Sequence, residues 1–304
     1  MIKRTAVILL LLGVLVGIAA CQLPFSTGNA LVMATQTPIV VIETMVLPAS
    51  ATPALFTSTP EPETPTPEPS IPATATETPT TTLTGTPLPS RGGGTFFATY
   101  LNSPPVIDGI WDEWSNTAYN CNAVVYGAGE RKDAADLGAS LRIGWDWNNL
   151  YLAVKIGDDV YVQNASGQDL YKGDSLELLF DTYLYDDFYW GEMSGDDYQL
   201  GISPGNPNVS GIKEAVAWFP RSGNGARNSV VIGSVRDEGI TRMEVAIPWS
   251  VLGVSPYAWA HYGFALSVSD NDNPNENVQQ SMISCVPGRR LLDPTTWGEL
   301  ILTQ

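Results

Sequence analysis

Apolar and polar residues alternate with a period of two along most of the chain beyond residue 95, the pattern of strands with one face buried. In LRIGWDW (141–147), Leu141, Ile143, Trp145 and Trp147 share one face. Asn148-Asn149 reads as a turn, and LYLAVKI (150–156) returns with Leu150, Leu152, Val154 and Ile156 inward, which predicts a hairpin. DSLELLFDT (174–182) sets Leu176, Leu178 and Phe180 against Ser175, Glu177 and Leu179. DYQLGIS (197–203), EAVAWF (214–219), SVVIGSV (229–235), TRMEVAI (241–247), GFALSVS (263–269) and GELILT (298–303) extend the series. The one helical signal is PWSVLG (248–253), with Pro248 in the first turn and Gly253 as a stop. Closely spaced strands with polar connections, and no strand–helix alternation, predict an all-β, jelly-roll-like β-sandwich.

The pattern differs at the other end. MIKRTAVILLLLGVLVGIAAC opens with Lys3 and Arg4, followed by an apolar run from Ala6 to Ile18. That run is too short for a spanning helix and reads as an export signal over residues 1–20. Its end, Ile18-Ala19-Ala20-Cys21, resembles the lipobox of bacterial lipoproteins, which implies lipidation at Cys21 and anchoring at the outer face of a bacterial membrane, the cell surface. Residues 21–91 are rich in Thr, Pro, Ala and Ser and poor in large apolar side chains, so they cannot offset the entropy of ordering. They read as a disordered stalk, held extended by proline at about 3.1 Å per residue. Residues 92–304 are then a single domain, long enough for a substantial core.

Charge narrows the partners. Within residues 92–304, 12 basic and 27 acidic residues leave a net charge of −15. No basic patch is available for nucleic acid, so the partner is neutral, cationic or bridged by metal. The sole histidine, His261 in AWAHYGF, lacks a cysteine or serine motif partner and reads as a satisfied near-core histidine rather than a base or haem ligand. Neither a catalytic site nor a redox cofactor is expected. In an exported protein, Cys121 and Cys285 either pair or remain as buried thiols.

The blocks VIDGIWDEW (106–114), IGWDWNNLYLAVKIGDDV (143–160), GDSLELLFDT (173–182), DDYQLGI (196–202), MEVAIPWSVLG (243–253), FALSVSDND (264–272) and LLDPTTWGELIL (291–302) resemble, in order and spacing, carbohydrate-binding module family 9. The resemblance implies a β-sandwich that binds an oligo- or polysaccharide without cleaving it. In that family two tryptophans sandwich a sugar, and polar groups bond its hydroxyls. Their places here hold Tyr171 and either Leu291 or Leu292, and an expected arginine falls at Gly201. Glu177, Gln199 and an acid at Asp158 or Asp159 are kept. The fold transfers better than the clamp. A sugar-independent structural or interaction module on the same sandwich is the alternative, with haem binding and a glycosidase carboxylate pair behind it.

Two further stretches carry chemistry. DTYLYDDFYWGEMSGDDY (181–198) interleaves rings with carboxylates. Either Tyr185, Tyr189 and Trp190 supply a replacement stacking face, or the segment folds over the sandwich around Phe188. SDNDNPNEN (269–277) offers Asp270, Asp272, Asn273 and Glu276, hard oxygen ligands suited to a structural Ca2+ rather than zinc. Asp186 and Asp187 form a second candidate set, and solvated polar turns are the alternative for both.

Overall fold

A computed structural model describes residues 88–304. The export signal, Cys21 and nearly all of the stalk lie outside the described residues. The fold is all-β, with the strands β1 (Thr95–Tyr100), β2 (Tyr119–Asn120), β3 (Ala123–Tyr126), β4 (Leu137–Trp145), β5 (Asn149–Asp158), β6 (Ser175–Asp181) and β7 (Asp197–Asn206). They continue as β8 (Ile212–Phe219), β9 (Gly225–Ala226), β10 (Val231–Asp237), β11 (Ile240–Pro248), β12 (His261–Asp270), β13 (Ser281–Ser284) and β14 (Gly298–Thr303). One hydrogen-bonded path runs β10-β11-β5-β4-β1-β14-β12-β6-β7-β8-β9, with β13 bridging β12 and β3 and β2 pairing with β4. Pairing is antiparallel except where β1 lies parallel to β14 and β4.

The path curls so that two inner faces meet. Leu141, Ile143 and Trp145 of β4, Leu152 and Val154 of β5, and Met243 and Val245 of β11 share a core with Leu176, Leu178 and Phe180 of β6, Leu200 and Ile202 of β7, and Phe264 and Leu266 of β12. These are the positions that the two-residue alternation marks as inward, because successive side chains of a strand face opposite sides of the sheet. Cys121 and Cys285 are joined by a disulfide that ties the β2–β3 link to the segment after β13.

The structure differs from the sequence reading at Trp147, at PWSVLG and in five short strands. Trp147 is not a core residue: β4 ends at Trp145, and Asp146 Oδ1 accepts the amides of Asn148 and Asn149, each at 2.7 Å, which turns the chain before the alternation can continue. PWSVLG yields only a short 3-10 turn, Trp249–Val251, because Pro248 still belongs to β11 and Trp249 is drawn into the core. Strands β1, β2, β3, β9 and β13 lack a strong alternation and were not foreseen.

On the outer face of β5 and β11, Tyr151, Ala153 and Ala246 pack under Trp114, with Ile107 and Trp111 beside them. Glu244 anchors this covering segment by accepting the Gly109 amide at 2.8 Å and the Trp114 indole N–H at 2.6 Å. Gly109 has a left-handed backbone (φ +89°), and a Cβ there would collide with the β10 backbone at Ser234 and Val235. Among the described residues no helix is long and apolar enough to cross a membrane.

Candidate functional site

The outer face of the other layer carries the best-built recess. Strand β6 alternates, so Glu177 points away from the core that Leu176 and Leu178 fill, and it lies opposite Gly201 of β7 and Ser267 of β12. Gln199 Nε2 donates to Glu177 Oε2 at 2.8 Å. Arg289, from the segment after β13, pairs with Glu177 Oε1, and its Nε donates to Ser267 Oγ at 3.0 Å. Glu177 and Arg289 are both buried, so each supplies the countercharge that makes the other tolerable out of water.

Two rings stand over this polar floor. Tyr171 comes from the 3-10 turn Gly167–Lys172, whose Tyr171 carbonyl accepts Ser269 Oγ at 2.7 Å. Trp218 comes from β8. Gln199 pairs with Phe219 but Leu200 with Ala217, so Trp218 is the extra residue of a β-bulge, a device that re-aims a side chain. Its indole N–H donates to the Gln168 carbonyl at 3.1 Å, and its ring lies 6.0 Å from Tyr171 at 80°. The six-membered edge of Trp218 lies directly over Gly201, where any Cβ would collide with it. Val125, Tyr126, Gln279, Met282 and Leu291 complete a cavity of about 530 Å3.

Tyr171, Glu177 and Gln199 are therefore brought together as expected from the resemblance, and Leu291 lines the wall. Gly201 departs from the family pattern for a local reason. An arginine there would occupy the place of Trp218, and Arg289 delivers a guanidinium to the same floor from another segment. Trp218, Arg289 and Gln279 were missed. The usable signals were the glycine in DYQLGIS and the ring directly after the last inward alanine of EAVAWF, Ala217.

Other expected site residues lie elsewhere. Asp158 and Asp159 are not at the cavity, because β5 belongs to the opposite layer and Asp158 is held by Arg236 at 3.1 Å. Tyr185, Tyr189 and Trp190 line a separate hollow with Leu88 and Pro89. The segment is folded back: Arg91, buried, donates to the Phe188 carbonyl at 2.6 Å, stacks on the Phe188 ring at 4.5 Å and pairs with Asp181 at 3.1 Å. Tyr185 O–H donates to Glu299 at 3.1 Å beside His261, whose Nδ1 is 2.5 Å from the same carboxylate. These contacts hold His261 as a positioned polar residue.

The carboxylates regroup more than the sequence reading allowed. Asp158, Asp270 and Asp272 place oxygens within 4.8 Å of one another, and Asp136, Asp159 and Asp272 do the same. Burial pushes Asp158 up to about 6 and Asp270 up to about 7. Asp270 Oδ1 and Asp272 Oδ1 are buried with no hydrogen-bond partner. All-oxygen donors with orphaned atoms fit a hard divalent cation. Glu276 is exposed and outside both groups, and the Asn273 side chain caps its own turn by accepting the Asn275 amide at 3.0 Å. A second group joins Asp181, Asp187 and Asp196, with buried Asp197 beside them carrying an unpartnered Oδ1 and raised by burial to about 7. Asp186 is exposed and outside that group.

Comparison with known proteins gives three findings. A family model described as carbohydrate family 9 binding domain-like matches residues 107–304. A carbohydrate binding module family 9 from Caldicellulosiruptor kristjanssonii, solved in complex with cellotriose, is similar at 20% identity and TM-score 0.52, covering 69% of this chain and 93% of its own. A structure of a family 9 module from the same organism in complex with glucose matches at 20% identity and TM-score 0.52, over 69% of this chain and 95% of its own. No curated protein matches this chain.

Proposed function

We propose, from the premise that this chain belongs to the carbohydrate family 9 binding domain-like family, that it binds a neutral sugar without chemical change in the cavity between Tyr171 and Trp218. The observation that carries the reading is the combination of two rings with a polar floor of Glu177, Arg289 and Gln199. A pyranose has apolar C–H faces that pack on rings and rim hydroxyls that seek oriented, charged donors and acceptors. Glu177 accepts, Arg289 donates, and the amides of Gln199 and Gln279 do either. The rings cross at a steep angle rather than lying parallel, so one ring covers a sugar face and the other bounds its edge.

The relatives were solved with cellotriose and glucose, which makes these the first probes. Calorimetric titration of the full chain with cellotriose should show binding that falls about 10-fold or more in Trp218→Ala and in Tyr171→Ala, with the melting temperature unchanged. Wild-type affinity in both variants would sink this reading.

Calcium is part of the proposal as a structural ion. Asp158, Asp270 and Asp272, with Asp136 and Asp159 alongside, would hold one ion, and Asp181, Asp187, Asp196 and Asp197 a second. Its contribution is charge neutralisation among carboxylates that burial disfavours. The same titrations run with calcium and with a chelator read this directly, since an ion that binds only the folded chain raises its melting point. No shift at millimolar calcium removes the ion from the account. The N-terminal expectation also stands as a proposal: export, lipidation at Cys21 and display of the module at the cell surface on the Thr/Pro stalk. Mass spectrometry of the exported protein checks it, and an unmodified Cys21 would refute it.

A further inference from the structure

We propose a second carbohydrate site at the end of the molecule that presents Trp147, sharing no residue with the Tyr171–Trp218 cavity. Trp147 is 59% exposed although it follows a core strand. The exposure is built rather than incidental. Asp146 is buried and fully used: its Oδ1 accepts the Asn148 and Asn149 amides, its Oδ2 accepts the Tyr151 hydroxyl at 3.0 Å, and its carbonyl accepts the Trp249 indole N–H at 2.8 Å. The turn is thus locked with Trp147 outward.

The ring is braced from behind. Trp145 meets it at 5.4 Å and 75°, and Tyr100 meets it at 6.1 Å and 61°, both edge-on contacts. The three rings, with the amide side chains of Asn102 and Gln304, line a recess of about 350 Å3. No charged side chain lines it. No side chain there offers a countercharge, so the lining is not built to hold a ligand by ion pairs. Rings plus neutral amides are the complement of a polyol with apolar C–H faces, and so of a neutral glycan.

A second observation points to the same end. The Trp145 indole N–H donates to the Thr303 carbonyl at 2.8 Å, and the Trp259 amide donates to the Leu302 carbonyl at 2.6 Å. Trp145, which braces Trp147, and the Trp259 backbone are therefore both tied to the last residues of β14. Trp259 is also 59% exposed, and its backbone is left-handed (φ +66°), a conformation that is costly for a bulky side chain. A rigidly presented, solvent-facing indole in an open recess, with a second exposed indole anchored at the same strand end, suits internal units of a glycan chain. With the cavity it would make the module bivalent, and bivalency multiplies affinity for long chains without strengthening either site.

The test uses the full chain with cellotriose and with hydroxyethyl cellulose as the long glucan. The wild type should take two cellotriose molecules, and Trp147→Ala and Trp218→Ala one each, with melting temperatures unchanged. Affinity for the long glucan should fall about 10-fold or more in either variant, and Trp147→Tyr should recover part of the loss. Wild-type stoichiometry and glucan affinity in Trp147→Ala would overturn the second site, as would loss of all binding in Trp218→Ala, which leaves the cavity reading intact. Loss of all binding in Trp147→Ala with none in Trp218→Ala would overturn the cavity reading and keep this one. Self-association that disappears in Trp147→Ala, without any glucan binding, would assign the platform to a second copy of the chain and overturn the proposal.

Discussion

At the scale of single residues, Gly201 and Trp218 behave as one unit. The bulge in β8 throws Trp218 over β7, and only a residue without a Cβ leaves room beneath it. Gly201→Ala should therefore lower cellotriose affinity about 10-fold by lifting the ring from the polar floor, while the circular dichroism spectrum stays unchanged. Unaltered affinity would mean that Trp218 is not a binding surface. Arg289 follows similar logic: the floor needs a guanidinium beside Glu177, and its source is a segment 112 residues away.

At the scale of elements, the segment between β6 and β7 shows how an acidic, aromatic sequence becomes ordered. It does not span water as a polar loop would. Arg91 reaches across from the start of the domain and is buried against the Asp181 carboxylate and the Phe188 ring and carbonyl. Burial pushes Asp181 up to about 6, with Asp187 adding to the rise, and Arg91 opposes it. Arg91→Ala leaves that carboxylate buried among others and should cost about 3–5 kcal/mol in urea unfolding. A loss below about 1 kcal/mol would show that the segment is held by its rings alone.

At the scale of the whole molecule, the long path of strands is closed by contacts distant in sequence. Cys121 and Cys285 lie 164 residues apart, and joining them removes loop entropy from the unfolded chain. Replacing both by serine should cost on the order of 3–5 kcal/mol. Unfolding in denaturant measures it, and an unchanged midpoint would assign the stability to packing alone.

Much of the fold was legible in the sequence, because period-two alternation reports directly on which face of a strand is buried. Leu141, Ile143, Leu152, Leu176, Leu178 and Phe180 are all in the core where the pattern put them. The acid-rich composition and the ordered blocks were legible too, since they are properties of the chain itself. That Tyr171, Glu177 and Gln199 lie at one cavity was expected through resemblance, since they border a strand with a recognisable frame. What only the tertiary structure decided were relations between segments. A bulge, a disulfide, the Glu177–Arg289 pair and the regrouping of Asp158 with Asp270 each depend on which strands lie side by side. Trp147 was misread for the same reason: alternation says which face a residue would occupy if the strand continued, and only the hydrogen bonds of Asp146 say where it stops.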